Sequence, residues 1–258
     1  MAKLREHGDA LANCIDRVLA KLHAAKPGMG KTVAIDGSDL PAYGNGQKYV
    51  SRGGALRKKF SDPDATWGHR SSISTRSGGG YYGYKVHTAV CAQTGRPVAW
   101  NVRTAKDPEI AEVPLLLDEV ARRGFTVDIA VLDRGYDAEI VYTEVESRHA
   151  RPVIPLRKTP AVKAGKDKPS CDHGEWTFAG SDTKRGASKW RCPTGECAPA
   201  SVWVKASRLH TLIPRNTDGF KALYHQRGAV EREFGVPQAP VGHAPATRPP
   251  AQPGTASC

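Results

Sequence analysis

Two short aliphatic runs, TVAID (32–36) and DIAVLD (128–133), each end in an aspartate, and those aspartates are 97 residues apart. Runs of this kind are too short for an ordinary helix and too apolar for a half-exposed strand. They read as buried strands. The chain around them supplies the rest of an α/β layer pattern. Residues 8–25 repeat Leu11, Ile15, Val18, Leu19 and Leu22 at helical spacing. YYGYKVHTAV and RPVAWNVRTA flank Gln93-Thr94-Gly95, which predicts a hairpin. EIAEVPLLLDEVARR (109–123) carries an apolar helical stripe stopped by Gly124. Residues 138–149 read as a helix capped by Asp137, and RPVIPL as an edge strand because of its prolines. Residues 218–235 return to helical period along Phe220, Leu223, Arg227, Val230 and Phe234. The order β, β-hairpin, helix, β, helix, β, insertion, helix predicts a mixed α/β sheet with flanking helices.

Between these elements lie two basic stretches. Residues 44–80 lack apolar periodicity and read as an exposed mobile segment, with seven Lys/Arg against two Asp within 48–76. Residues 158–215 break into short β pieces with Gly, Pro, Trp and Cys and read as an insertion; 148–215 holds 14 Lys/Arg against 5 Asp/Glu. The whole chain of 258 residues carries a formal charge of +12, which calls for a polyanionic partner. No apolar run is long enough for a membrane span and no signal-peptide core opens the chain, so the expectation is a cytoplasmic, nucleoid-associated protein without a membrane partner.

Acids on strand ends can converge, and a third, Glu231, lies on the last helix. Tyr224, Arg227 and Glu231 are spaced i, i+3, i+7 and share one face of it. Converging carboxylates need compensation, which divalent ions supply; a pair of Mg²⁺ ions can activate a water or 3′-hydroxyl and stabilise a leaving oxygen of a phosphodiester.

The segments TVAIDGSDLPAYG, GYKVHTAV, AVLDRGYDAEIV and YHQRGAVEREFG, in this order, resemble the motifs of DDE-type bacterial insertion-sequence transposases. The last is similar to a tyrosine–x2–arginine–x3–glutamate–x6–lysine signature, matched at Tyr224, Arg227 and Glu231 and departing at Gln238. The resemblance covers roughly 30–235. It implies a ribonuclease-H-like core over 30–157, completed by a catalytic helix at 216–235 after a β-rich insertion at 158–215. Residues 1–29 form an N-terminal helix and linker. It further implies that Asp36, Asp133 and Glu231 hold two Mg²⁺ (or Mn²⁺) ions, that Tyr224 and Arg227 position DNA or steady the acids, and that the function is cut-and-paste transposition on double-stranded DNA, transposon ends and target alike, by a homodimer.

Plainer roles stand beside these. Asp36 and Asp39 also suit a turn after a strand, Glu233 competes with Glu231, and Arg227–Glu231 also suits a surface i,i+4 pair. Lys85 and His87, alternating on a strand, either face the acids and bind phosphate or face solvent. Cys171-x-His173 and Cys192-x4-Cys197 offer four soft ligands suited to a structural Zn²⁺, against free thiols and an exposed histidine. Trp176, Trp190 and Trp203 suit a small aromatic core or stacking on unpaired bases. Gly28-Met29-Gly30-Lys31-Thr32 resembles the end of a nucleotide-triphosphatase phosphate loop, but TVAID follows it as a strand where that loop needs a helix. After Gly235 the text changes to 23 residues with six prolines, expected to be disordered. That change reads like a frameshift or truncation, so a partial or inactive copy, a basic DNA-binding remnant, is the rival to an active enzyme.

Overall fold

The computed structural model describes residues 7–43, 49–50, 56–57, 62, 64–70, 78–158 and 169–235. Helix α1 (Gly8–Ala25) leads through a turn at 26–31 into β1 (Thr32–Pro41). Two short paired strands, β2 (Tyr49–Val50) and β3 (Leu56–Arg57), and β4 (Thr66–Arg70) precede the hairpin β5 (Gly79–Cys91) and β6 (Arg96–Thr104). Then follow α2 (Glu112–Arg122), β7 (Ile129–Leu132), α3 (Glu139–Ser147) and β8 (Arg151–Val153). Main-sheet neighbours run β6-β5-β1-β7-β8, with β4 pairing on the N-terminal part of β5. β5 and β6 are antiparallel to their neighbours, whereas β1, β7 and β8 run parallel. An antiparallel trio followed by two parallel strands beyond β1 is the ribonuclease-H-like order. β8 is an edge strand, a place that suits Pro152.

The continuous hydrophobicity of β1 and β7 follows from burial on both faces. Val33 and Ile35 join Ala130 and Leu132 in the large core beneath α2 and α3, while Ala34 faces the other way. On that second face lie α4 (Asp218–Tyr224) and α5 (Gly228–Gly235). Ala229 and Val230 pack on Ala34 and Val90, and Phe220 packs on Ile129, Val131 and Val153.

Three expectations change in detail. The helix over 218–235 is two helices joined by a 3-10 turn at His225–Arg227, which tightens the backbone just before the site. The 44–80 stretch contains a sheet strand, β4, held by backbone pairing with 79–83; its residues 44–48, 51–55, 58–61, 63 and 71–77 lie outside the described residues. Asp137 does not cap α3, whose first flanking residue, Ala138, has no side-chain cap. Its buried carboxylate instead accepts from the Arg157 amide, the Tyr142 hydroxyl and both arms of Arg208. The tail at 236–258 also lies outside the described residues.

Between β8 and α4 the chain forms a separate lobe: the hairpin β9 (Ser170–Cys171) and β10 (Gly174–Glu175), then an antiparallel sheet β11 (Thr177–Asp182), β12 (Ala187–Arg191) and β13 (Ser201–Lys205). Trp190 is buried, edge-on to Phe178, with its N–H donated to Ser188. Trp203 is exposed beneath Arg185 and Lys189.

Candidate active site

In the parallel β1–β7 pair Ile35 stands opposite Leu132, so the next residues, Asp36 and Asp133, stand side by side. Neighbouring strands are about 4.8 Å apart, close enough for both carboxyl groups to meet one ion. Asp36 shares its sheet face with Ala34, the face that α5 covers. The small side chains of Ala229 and Ala34 let the helix lie close. Arg227, on the turn before it, then reaches down: Nη2 donates to Asp36 Oδ2 at 2.7 Å and Nη1 to Glu231 Oε1 at 2.5 Å. One guanidinium therefore joins a carboxylate of the sheet to a carboxylate of the last helix.

The two aspartates are also fixed by backbone donors. Asp36 Oδ1 accepts the Gly37 amide at 2.8 Å and Asp133 Oδ1 the Gly135 amide at 2.5 Å. A Cβ on residue 135 would lie 2.7 Å from that same oxygen, so a larger residue there would have to displace the Asp133 carboxylate. Burial pushes the Asp36 carboxyl up to about 6; Arg227 and the Gly37 amide oppose this, and the charge of Asp133 adds to it. Burial disfavours the charge of Arg227 too, but Asp36, Tyr224, Glu231 and Asp133 raise its pKa overall. Glu231 is more than half exposed, so the site opens to solvent on the helix side.

Tyr224 stacks on Phe220 at 6.1 Å and packs with the apolar cluster over β7 and β8, in the field of Asp133 and Glu231. Lys85 and His87 lie elsewhere. The pair Gly37↔His87 puts both on the sheet face opposite Asp36. There Lys85 Nζ is 2.6 Å from Glu109 Oε1, and His87 is fully buried with no hydrogen-bond partner on either ring nitrogen among the described residues. Burial lowers the His87 pKa to about 4, so the ring is neutral. A cleft of about 600 Å³ opens on the Lys85 side, lined by Trp67, His69, Lys85, Lys106, Glu109 and Gly135.

Tyr136 carried no signal in the sequence beyond its place three residues after Asp133. It is 1% exposed, and its hydroxyl has no hydrogen-bond partner among the described residues. Burial and the charges of Asp36, Glu109 and Asp133 raise its pKa far above the usual value, so it keeps its proton beside the acids. The triphosphatase loop is excluded by its surroundings. Thr32 starts a strand, the Gly30 amide is spent on Cys91 Sγ, and the ring of Phe125 blocks the space above Gly30.

The donors at the acid cluster are carboxylate oxygens, the ligand type of Mg²⁺ and Mn²⁺. A buried carboxyl held near neutrality beside a second one fits such an ion, because a cation would offset the cost that lifts its pKa. Acids on two adjacent strand ends of a ribonuclease-H-like sheet, joined through Arg227 to a glutamate on the last helix, form a carboxylate cluster whose donors suit a divalent ion. In agreement with this, the model of the transposase DDE domain family matches residues 27–238, and the chain belongs to that family.

Among solved structures, the chain is similar to the piggyBac transposase in a synaptic complex with hairpin DNA determined by cryo-EM, with 11% identity and a TM-score of 0.39. The match covers 81% of this chain and 40% of that one. No curated protein matches. No helix among the described residues is long and apolar enough to cross a membrane.

Proposed function

We propose that the chain cuts and joins DNA as a cut-and-paste transposase, with Asp36, Asp133 and Glu231 as the ligands of its Mg²⁺ or Mn²⁺ ions. The observation that carries this reading is the guanidinium of Arg227 held between Asp36 and Glu231, with Asp133 on the neighbouring strand. The core comprises 30–157 and 216–235, and 158–215 is an insertion. When bound, the ions supply Lewis-acid stabilisation of attacking and leaving oxygens.

The chain's own groups prepare that site. The Gly37 and Gly135 amides fix one oxygen of each aspartate, and Arg227 holds the second oxygen of Asp36. Arg227 is a positioning residue that sets Glu231 against the strand acids. Because Asp36 titrates near 6, ion uptake displaces a proton below that pH and is stronger above it. In the first reaction a water oxygen bonds to phosphorus at the transposon end as the P–O3′ bond breaks and O3′ takes up a proton. In the second, that 3′-oxygen bonds to a target phosphorus, and the target's P–O3′ bond breaks. One phosphodiester replaces another, so no nucleotide cofactor is needed. The +12 charge suits a DNA backbone lying across the acids. Holding two transposon ends at once calls for two copies of the chain, so the reading includes a homodimer on DNA.

The test is nicking of a supercoiled plasmid that carries the DNA flanking this chain's own reading frame. Mg²⁺- or Mn²⁺-dependent nicks are expected at fixed positions, and Asp133→Asn should abolish them, a loss of at least ~10³-fold. Cleavage by Asp133→Asn at the wild-type rate overturns the assignment. Sequence-independent DNA binding with no cleavage under either metal makes the chain a basic DNA-binding remnant.

A further inference from the structure

The inserted lobe brings together Cys171, His173, Cys192 and Cys197, whose ligand atoms all lie within 4.8 Å of one another. Cys171 Sγ is 3.8 Å from Cys192 Sγ. His173 Nδ1 is 3.9 Å from Cys171 Sγ, 3.8 Å from Cys192 Sγ and 3.4 Å from Cys197 Sγ. A regular tetrahedron with zinc–sulfur bonds of about 2.3 Å and a zinc–nitrogen bond of about 2.05 Å has edges of about 3.8 Å (S to S) and 3.5 Å (S to N). These four distances thus lie close to the edges of such a tetrahedron. Sulfurs joined as a disulfide would be about 2.05 Å apart, and these three thiols are free.

Two further observations point the same way. The other ring nitrogen, His173 Nε2, is 3.2 Å from Glu196 Oε2. That carboxylate accepts a hydrogen bond from Nε2–H, which leaves Nδ1 with its lone pair turned to the sulfurs, the arrangement of histidines that ligate metal. The lobe also lacks a core of its own. Between 169 and 207 the buried apolar residues are Ala187, Trp190 and Cys192. The β9–β10 hairpin has two paired residues per strand, well short of what stands alone in water.

We propose that these four side chains bind one structural Zn²⁺ through three thiolates and His173 Nδ1, with Glu196 orienting the histidine. The site has four protein ligands and no open position, so it is a staple and not a catalytic centre. Its ligands come from the β9–β10 hairpin (Cys171, His173), the end of β12 (Cys192) and the loop toward β13 (Cys197). The ion therefore ties the small hairpin to the three-stranded sheet. Binding displaces the thiol protons, so affinity falls as pH is lowered. This site does not depend on the nuclease reading.

The test uses the tag-free full chain, purified under reducing conditions without added metal. Elemental analysis should give about one zinc per chain, unchanged by Cys14→Ser and by Asp133→Asn. An organomercurial should release the zinc to a chromophoric chelator. Cys171→Ser combined with Cys197→Ser should abolish it. Glu196→Gln should keep the stoichiometry but weaken binding roughly 10–100-fold in a chelator competition. Because the double variant can lose zinc merely by misfolding, the wild-type protein is the deciding sample. Wild-type protein that contains no zinc yet resists proteolysis across 169–207 overturns the proposal, as does iron in place of zinc or full zinc in the double variant.

Discussion

Asp36 is a carboxyl group buried against its own tendency to ionise. Burial lifts its pKa to about 6, so the folded chain binds a proton more tightly than the unfolded chain does. Its contribution to stability is complete below the ordinary aspartate range near 4 and is lost as pH rises through about 6. At neutral pH the ionised group costs up to about 3 kcal/mol. Asp36→Asn is therefore expected to melt higher than wild type at pH 7.5 in EDTA, with the gap closing toward pH 4, as calorimetry would record. Mg²⁺ should stabilise the wild type and leave the variant unmoved. A variant that melts lower at pH 7.5 would mean that the Arg227 contact outweighs burial. Tyr136 belongs to the same account: its phenol stays protonated, an uncharged neighbour that adds no repulsion to the acids.

At the scale of elements, the turn between α1 and β1 is set by Gly30. Its φ is +84°, and a Cβ there would meet Phe125 at 2.7 Å. Gly30→Ala should cost about 2–3 kcal/mol in urea unfolding, from backbone strain plus the displaced ring, with DNA cleavage kept in the folded fraction. Strands β1 and β7 were the most legible part of the sequence. TVAID and DIAVLD are apolar on both faces because helices cover both faces, and that imprint needs no knowledge of partners. Pairing leaves a weaker imprint. β4 is held by backbone hydrogen bonds that Thr66–Arg70 does not announce in its side chains. Alternation placed Lys85 and His87 together on one face; which face depends on the register Gly37↔His87, and register is a property of two strands. The 3-10 turn at 225–227 was hidden because a tighter turn hardly shifts the apolar stripe. The acid cluster was readable through strand ends, helix spacing and family resemblance together. Tyr136 was not, since a buried tyrosine in a loop looks like any other.

For the whole molecule, the exit from the inserted lobe is bolted to the main sheet. Arg208 donates to both oxygens of Asp137, a carboxylate with no exposure, and Arg215 donates to the Tyr142 hydroxyl and the Ile154 carbonyl. Arg208→Ala leaves a buried charge without its cation, so a loss of about 3–5 kcal/mol is expected in chemical denaturation. Glu231 lies 98 residues beyond Asp133, and the Arg227 that clasps it to Asp36 is nearly as late. During synthesis, both strand aspartates leave the ribosome well before the helix that completes their cluster. A chain still being translated therefore carries an incomplete acid cluster until the last helix emerges.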